Sequence, residues 1–281
     1  MFSHIKTIPK TTLNARNYAS RCDFVFMRDA AAPFISNTRG SLFDGCTVYC
    51  WSTYLPSLFH QLNGLNVKNI TLLSGDNDHS VRPSGGANKF SHIPPVPKNI
   101  KKWYAQNAEV VDDIMTPMPI GLVPPWRTEA SESEHLTTLT IDAERIGLVY
   151  SNFNIETNPE ERIKIKNILL EKLKLETPYS DVNSYYKALQ THKFVICPPG
   201  NGKDTHRMWE SLYFGAIPVV EDSVMNRYFS NFFPVVLISD WNQISEDFLN
   251  KQYNQIKGNF NYKLLDVDCW FKYYNIKNKN D

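Results

Sequence analysis

The chain has 281 residues, of which 42% are hydrophobic, 13% aromatic and 21% charged. These are ordinary values for a globular protein, and a chain of this length can bury a substantial core. With 30 Lys and Arg against 29 Asp and Glu, the net charge of +1 argues against a nucleic-acid-binding protein, which usually carries a clear basic excess. A small anionic ligand needs only a few well-placed cations, so it is compatible with this balance.

The cysteines have the spacing of neither a disulfide framework nor a zinc site. They are Cys22, Cys46, Cys50, Cys197 and Cys269. We therefore expect reduced, mostly buried thiols and a cytoplasmic location. No apolar run reaches the length of a transmembrane segment. The N-terminal stretch lacks the apolar core of a secretory signal.

The first half of the chain predicts several short elements. The predicted strands are Cys22–Met27, Thr47–Ser52 and Asn69–Leu73. The predicted helices are Tyr54–Leu62, with Pro56 in its first turn, and Asn99–Asn107. The predicted irregular segments are a turn at Asn37–Gly40, a loop at Val81–Pro97 and an extended stretch at Ile114–Ile120.

A Pro- and Ser-rich segment, Gly121–Leu136, predicts a linker or an active-site loop and is the candidate domain boundary. We therefore divide the chain into an N-terminal domain (1–135), a C-terminal domain (136–262) and a C-terminal helix with a tail (263–281).

Strands and helices alternate in the second half, which predicts a parallel sheet with helices on both faces. The predicted strands are Ile146–Ser151, Lys193–Cys197, Ala216–Val220 and Pro234–Ser239. The predicted helix starts are caps at Asn158, Asp181 and Asp204, and Asp266 is predicted to cap the last helix. Ligands bind at the carboxyl ends of the strands in such sheets.

The most informative segment is KFVICPPGNGKDTHRMWESLYFGAIPVV, residues 193–220. A buried strand leads into a Pro-Pro-Gly-Asn-Gly turn and then into a helix. Glycines permit backbone shapes that expose N–H groups, and a helix N-terminus adds partial positive charge, so phosphate is the expected guest. The segment is neither a P-loop nor a dinucleotide fingerprint. Cys197 stands where a P-loop has glycine, Asp204 replaces its hydroxyl residue, and Gly-Asn-Gly lacks the third glycine.

Arg207 and Glu210 are three residues apart on this helix and are therefore neighbours on its surface. A guanidinium suits a diphosphate, and a carboxylate can accept from both ribose hydroxyls. The alternative is an exposed Arg/Glu pair on an ordinary helix. His206 is equally compatible with a capping or solvent-facing role. Lys203 can also reach a phosphate.

The run CPPGNGKDTHRMWESLYFGAIPVV resembles the C-terminal signature of exostosin-like glycosyltransferases, including related small viral and bacterial enzymes. Three upstream pieces are similar to the same group of proteins. They are WYAQN (Trp103–Asn107), PMPIGL (Pro117–Leu122) and LVYSNFNIETNPEER (Leu148–Arg162). The resemblance extends over roughly residues 70–241 in scattered blocks.

This resemblance implies an α/β protein of GT-B architecture, in which two Rossmann-like domains face each other across a cleft. A nucleoside-diphosphate sugar would bind the C-terminal domain without a metal or another cofactor, and a glycan acceptor hydroxyl would enter from the N-terminal domain. Arg207 would hold the diphosphate and Glu210 the ribose. The donor-binding residues would be Ser151, Asn152, Asn154, Pro199, Gly200, Asn201, Gly202, Lys203, Asp204, His206, Arg207 and Glu210.

The Gly-Asp-Asn-Asp turn after the strand Asn69–Leu73 carries candidate catalytic groups. In an inverting transfer Asp76, Asp78 or His79 would accept the proton of the attacking hydroxyl. The same Asp-x-Asp pattern is typical of the GT-A fold, where it binds a divalent cation such as manganese. A plain turn, a GT-A enzyme and a non-catalytic nucleotide- or glycan-binding module therefore remain alternatives.

Overall fold

The computed structural model describes residues 11–27, 35–36, 41–87, 92–123, 144–176, 181–256 and 260–280. These residues form two compact units. The N-terminal unit comprises residues 11–120 together with 263–280, and the C-terminal unit comprises residues 121–262. The predicted turn at Asn37–Gly40 and most of the predicted linker lie outside the described residues. Parallel sheets with helical connections confirm the predicted mixed α/β class.

Twelve strands are assigned in the described part of the chain. In the N-terminal unit they are β1 (Phe24–Met27), β2 (Ile35–Ser36), β3 (Thr47–Trp51), β4 (Ile70–Gly75), β5 (Gly86–Ala87), β6 (His92–Ile93), β7 (Ile100–Ala105) and β8 (Met115–Pro117). In the C-terminal unit they are β9 (Gly147–Tyr150), β10 (His192–Ile196), β11 (Ile217–Glu221) and β12 (Val236–Ile238).

Eight α-helices are assigned among the same described residues. They are α1 (Ala15–Arg21), α2 (Leu55–Asn63), α3 (Pro159–Leu173), α4 (Val182–Thr191), α5 (His206–Tyr213), α6 (Val224–Phe229), α7 (Glu246–Gln255) and α8 (Val267–Tyr273). None of the described helices is long and apolar enough to cross a membrane. Helices α1, α6 and α7 were not predicted from the sequence.

The N-terminal unit contains a six-stranded sheet in the order β2-β1-β3-β4-β7-β8. Its strands are parallel except for the antiparallel pair β1–β2. Strands β5 and β6 form a small hairpin inside the segment that we predicted as a loop. Helix α8 belongs to this unit, and Asp266 caps it by accepting from two backbone N–H groups, as predicted.

The predicted helix Asn99–Asn107 is wrong, because most of this segment is strand β7. It pairs with β4 on one side and β8 on the other, so the sheet satisfies its backbone on both edges. Trp103 is fully buried, and its indole N–H donates to Ser74 Oγ at 2.8 Å. Pairing and burial therefore outweigh the local helix preference of Lys and Ala.

The C-terminal unit contains a fully parallel sheet in the order β12-β11-β10-β9. Strand β10 is central and its last three residues are buried, as expected for a strand covered on both faces. Helix α5 packs through its predicted apolar stripe, which consists of Met208, Trp209, Leu212 and Tyr213. The Trp209 ring meets Phe229 edge-on at 4.8 Å.

Two predicted features near these helices have clear outcomes. Asp181 caps α4 by accepting from two backbone N–H groups, as predicted. Asp204 does not cap α5, because the cap position is Thr205. The buried Asp204 carboxylate instead accepts from Trp209 Nε1 at 2.7 Å, which satisfies an indole N–H inside the core.

Four of the five free cysteines are buried, as predicted, and Cys269 is exposed.

Candidate functional site

The carboxyl ends of β9 and β10 lie side by side, because the two strands are parallel neighbours. The loop after β9 contains Ser151, Asn152 and Asn154, and the loop after β10 is the Pro-Gly turn. Parallel sheets bind ligands at this edge. The sheet therefore places two groups of predicted donor-binding residues at one edge of the C-terminal unit.

Arg162 joins the two loops. Its guanidinium donates to the carbonyl of Asn154 at 2.5 Å, to that of Pro198 at 3.2 Å and to that of Pro199 at 2.8 Å. The residue is only 4% exposed. A Cβ at Gly200 would come within 3.1 Å of Arg162 Nη2, so a residue without a side chain suits this close approach.

Arg162 is positioned by the first turn of α3. Pro159 occupies the first helical position, where the missing N–H costs nothing, and the Arg162 backbone N–H donates to the Asn158 carbonyl. The Asn158 side chain makes no capping bond and donates to Glu161 instead. The start of α3 therefore directs a buried cation at the carbonyls of both loops.

The Pro-Gly turn is held partly by its own backbone. The Gly200 N–H donates to the Gly202 carbonyl at 2.9 Å, so that amide is used inside the turn. Neither glycine adopts a left-handed backbone. Asn201 and Lys203 are exposed, whereas Gly202 is buried. The exposed side chains of the turn, within residues 200–203, are therefore those of Asn201 and Lys203.

Arg207 lies in the first turn of α5 and differs from Arg162 in its contacts. Its Nε is buried and finds no hydrogen-bond partner among the described residues. Ser151 Oγ, in the loop after β9, is also buried and has no hydrogen-bond partner among the described residues. A buried polar atom without a partner costs free energy, on the order of 1–3 kcal/mol. Among the described residues of the C-terminal unit, Asn226 Oδ1 and Trp241 Nε1 are also buried without a partner. Arg207 Nε and Ser151 Oγ differ from them in belonging to segments that follow the carboxyl ends of β10 and β9, where a polar ligand would satisfy them.

The two guanidiniums influence each other. Burial, followed by repulsion from Arg207, lowers the pKa of Arg162 to about 10. Neither arginine lies within ion-pair distance of a carboxylate of the described residues. Two cations held close together without a paired anion favour the binding of a negatively charged group.

Glu210 follows Arg207 by one turn of α5. Tyr185, on α4, donates its hydroxyl to Glu210 Oε2 at 2.5 Å. The Arg207 guanidinium lies over the Tyr185 ring at 5.9 Å. Burial raises the pKa of the Glu210 carboxyl above its usual value, while the Tyr185 hydrogen bond and the Arg207 charge oppose that shift. Glu210 is thus held beside the cationic group by a residue that the sequence analysis did not identify.

The remaining predicted donor-binding residues make contacts within the unit. His206 Nδ1 lies 2.7 Å from the Gly121 carbonyl. Asn152 Nδ2 donates to the Tyr150 hydroxyl at 3.1 Å. The Asn154 side chain accepts from the Glu156 N–H and starts a short 3-10 helix, Ile155–Thr157. For these residues a ligand-binding role stays a prediction.

The predicted catalytic residues Asp76, Asp78 and His79 belong to the N-terminal unit, where they follow β4. Asp76 has a left-handed backbone (φ 56°), and its N–H donates to the Gln106 side chain at 2.6 Å. Asp76 and His79 are buried, and Asp78 is half-buried. Burial lowers the pKa of the His79 imidazole, and the Asp78 charge opposes that effect.

No three His, Cys, Asp or Glu side chains of the described residues come together closely enough to hold a metal ion. The Asp76/Asp78 pair therefore gains no third protein ligand of these types from that part of the chain.

Residues 155–280 match the model of the RXYLT1 C-terminal domain. This is a xylosyltransferase-related, exostosin-like family of glycosyltransferases. The matched range is less than half of the chain and contains Arg162, Tyr185, Arg207 and Glu210. No curated protein matches the chain significantly. The family match indicates a glycosyltransferase.

Arg162 and Tyr185 were not among the predicted site residues. Arg162 ends one of the upstream pieces that resemble exostosin-like proteins, and this was the only signal that pointed to it. No local pattern marks Tyr185, because its partner Glu210 is 25 residues away in sequence. Long-range contacts of this kind become visible only in the folded unit.

Proposed function

We propose that this protein transfers a sugar from a nucleoside-diphosphate sugar to a glycan acceptor hydroxyl, with inversion and without a metal. The observation that carries the proposal is the buried, unpartnered Nε of Arg207 beside a second buried cation, Arg162. A diphosphate would satisfy the Arg207 donor and neutralise the pair. The GT-B arrangement, with donor binding in the C-terminal unit and acceptor binding in the N-terminal unit, is part of this proposal.

In the proposed reaction the arginines contribute most to catalysis when the bond between the sugar and the nucleoside diphosphate breaks. Negative charge grows on the leaving group in the transition state, and preorganised donors stabilise it without further reorganisation. Arg207 contacts the phosphates, and Arg162 adds positive potential while it holds the loops in place. Ser151 Oγ offers an additional donor, and Glu210 accepts from the ribose.

The acceptor hydroxyl needs a base, and we assign this role to His79. Because burial lowers its pKa, the imidazole is neutral at pH 7 and can accept a proton. Asp78 lies close enough to influence His79 electrostatically and would stabilise the imidazolium that forms. Asp76, whose backbone adopts an uncommon left-handed conformation, shapes the turn.

The family match also guides the choice of donor. Because the matched family comprises xylosyltransferases, a nucleoside-diphosphate pentose is the first donor to test. Four buried free thiols favour a reducing compartment, so we propose a cytoplasmic site of action.

The test is binding of UDP and GDP to the full chain by calorimetry, followed by turnover of the donor sugars. Arg207→Ala should weaken nucleotide binding by about 30-fold, because a charged hydrogen bond contributes about 2 kcal/mol. Arg227→Ala is the matched control, since Arg227, on α6, forms an ion pair at the surface with Asp222. Equal affinities in wild type and Arg207→Ala would remove the main residue assignment.

A further inference from the structure

Tyr185 contacts both residues that we assign to the nucleotide. Its hydroxyl donates to Glu210 Oε2 at 2.5 Å, and its ring lies under the Arg207 guanidinium at 5.9 Å. The ring also packs against Tyr150 at 6.2 Å and Tyr186 at 5.5 Å between centroids. One side chain on α4 therefore links the carboxylate and the cation of α5.

The hydrogen bond occupies only one oxygen of Glu210. A carboxylate has two oxygens and about four acceptor positions. Oε1 accepts no hydrogen bond from the described residues, and Glu210 is partly accessible. Because Tyr185 fixes Oε2, the direction of Oε1 is fixed as well.

We propose that Tyr185 is a positioning residue that directs Glu210 Oε1 at the ribose of the nucleotide and so makes the site selective for ribonucleoside diphosphates. This inference rests on the proposed function. It adds that selectivity for ribose depends on a hydroxyl that never contacts the ligand. Pyrophosphate has no ribose, and a 2′-deoxynucleotide lacks the 2′-hydroxyl. The affinity for these compounds would therefore not depend on Tyr185 in this way.

The proposal also predicts a pH signature. The groups that face Glu210 are the Tyr185 hydroxyl from α4, Arg207 on its own helix and the Cys197 thiol that follows β10. Ribose binding requires the carboxylate, so affinity falls as the pH drops through the Glu210 pKa, which lies above the usual 4.5. Tyr185 opposes the upward shift, so removing its hydroxyl should move this loss of affinity to higher pH.

The experiment compares the affinities of UDP, GDP, their 2′-deoxy forms and pyrophosphate for the full chain by calorimetry. Tyr185→Phe keeps the ring and loses only the hydroxyl. We expect it to weaken UDP and GDP binding about tenfold and to leave pyrophosphate binding within about twofold, because only the ribose contact is misdirected. Tyr262→Phe, which removes a hydroxyl elsewhere in the same unit, is the control and should change neither affinity.

The possible results separate the two proposals. If wild type binds UDP or GDP and Arg207→Ala does not, but Tyr185→Phe keeps the wild-type ratio of nucleotide to pyrophosphate affinity, only the Tyr185 inference is overturned. If wild type binds neither nucleotide, the proposed function and this inference both fail.

A second measurement needs no variant and covers the case in which Tyr185→Phe does not fold. In wild type the preference for UDP over 2′-deoxy-UDP should shrink as the pH falls through the Glu210 pKa. A preference that is constant across that range, or no preference at all, would overturn the inference.

Discussion

The carboxyl edges of the two parallel sheets carry opposite chemistry. After β4, in the six-stranded sheet, the chain places Asp76, Asp78 and His79. At the edge of the four-stranded sheet, Arg162 and Arg207 lie close enough to repel each other. Both sheets are built mainly from parallel strands, so the difference comes from the segments that follow the strands, which are a loop after β4 and the starts of α3 and α5 in the C-terminal unit. We propose that the first edge accepts a proton and that the second holds an anion.

A second comparison lies inside the C-terminal unit, where three arginines have different partners. Arg145 donates to the carbonyls of Leu189, His192 and Phe214, so it ties together the ends of α4, β10 and α5. Arg162 also donates to three carbonyls. Arg207 leaves a buried donor unpaired. The hydrogen-bond partners therefore distinguish Arg145 and Arg162, which hold segments of the fold together, from Arg207, which we propose for the ligand.

The largest expected effect follows from replacing His79, the proposed base at the carboxyl edge of the six-stranded sheet. His79→Gln should lower kcat by about 10²-fold or more, because a positioned general base contributes that much, while the affinity for donor nucleotide stays unchanged. Burial lowers the His79 pKa, so wild-type turnover should fall only as the pH drops below about 6.5. Asp78→Asn removes the charge that raises this pKa, so its acid limb should shift to still lower pH.

The controls for His79→Gln are its nucleotide affinity and its melting temperature, which report whether the variant is folded and binds the donor. If both stay at wild-type values and kcat is unchanged, His79 is not the base, and the role passes to Asp76 or Asp78. Loss of donor affinity in His79→Gln would contradict the division of roles between the two edges.

The next effect separates Arg162 from Arg207 by stability in urea. Arg162→Met should lower the free energy of unfolding by about 3 kcal/mol, because three carbonyls lose a buried charged donor. Arg207→Met should lower the stability of the ligand-free protein by much less than Arg162→Met does. It removes an unpaired buried donor and a repulsive charge, which offsets the loss of its contacts with the Tyr185 ring and the Glu210 carboxylate. Arg227→Met is the exposed control. Equal destabilisation by Arg162→Met and Arg207→Met would erase the distinction.

The sequence predicted the fold best where one local signal was sufficient. The apolar run that forms β10 and the Asp181 cap of α4 are examples. It failed at Asn99–Asn107, because a strand between two neighbours is stabilised by residues elsewhere in the chain. Helix α7 was missed although Ser245 caps it and acidic residues fill its first turn, which is a standard start signal.

The candidate site follows the same rule. Arg207 and Glu210 were predicted from their spacing on one helix, and both are half-buried, while their role towards a ligand stays a prediction. Arg162 and Tyr185 were not predicted, because the partners that place them at this site include Pro199 and Glu210, which are 37 and 25 residues away. The predicted Asp204 cap was wrong, because the Asp204 carboxylate accepts instead from the indole N–H of Trp209, which is buried in the core.

The smallest expected effect is that of a chelator, and it tests which edge binds the diphosphate. Turnover should be unchanged in EDTA, because Arg162 and Arg207 supply the positive charge that a divalent cation would otherwise provide. A loss of turnover in EDTA that manganese restores would contradict this expectation. If Asp76→Asn also prevented the restoration, the diphosphate would bind through a cation at the edge of the six-stranded sheet. The assignment of donor and acceptor to the two edges would then be reversed.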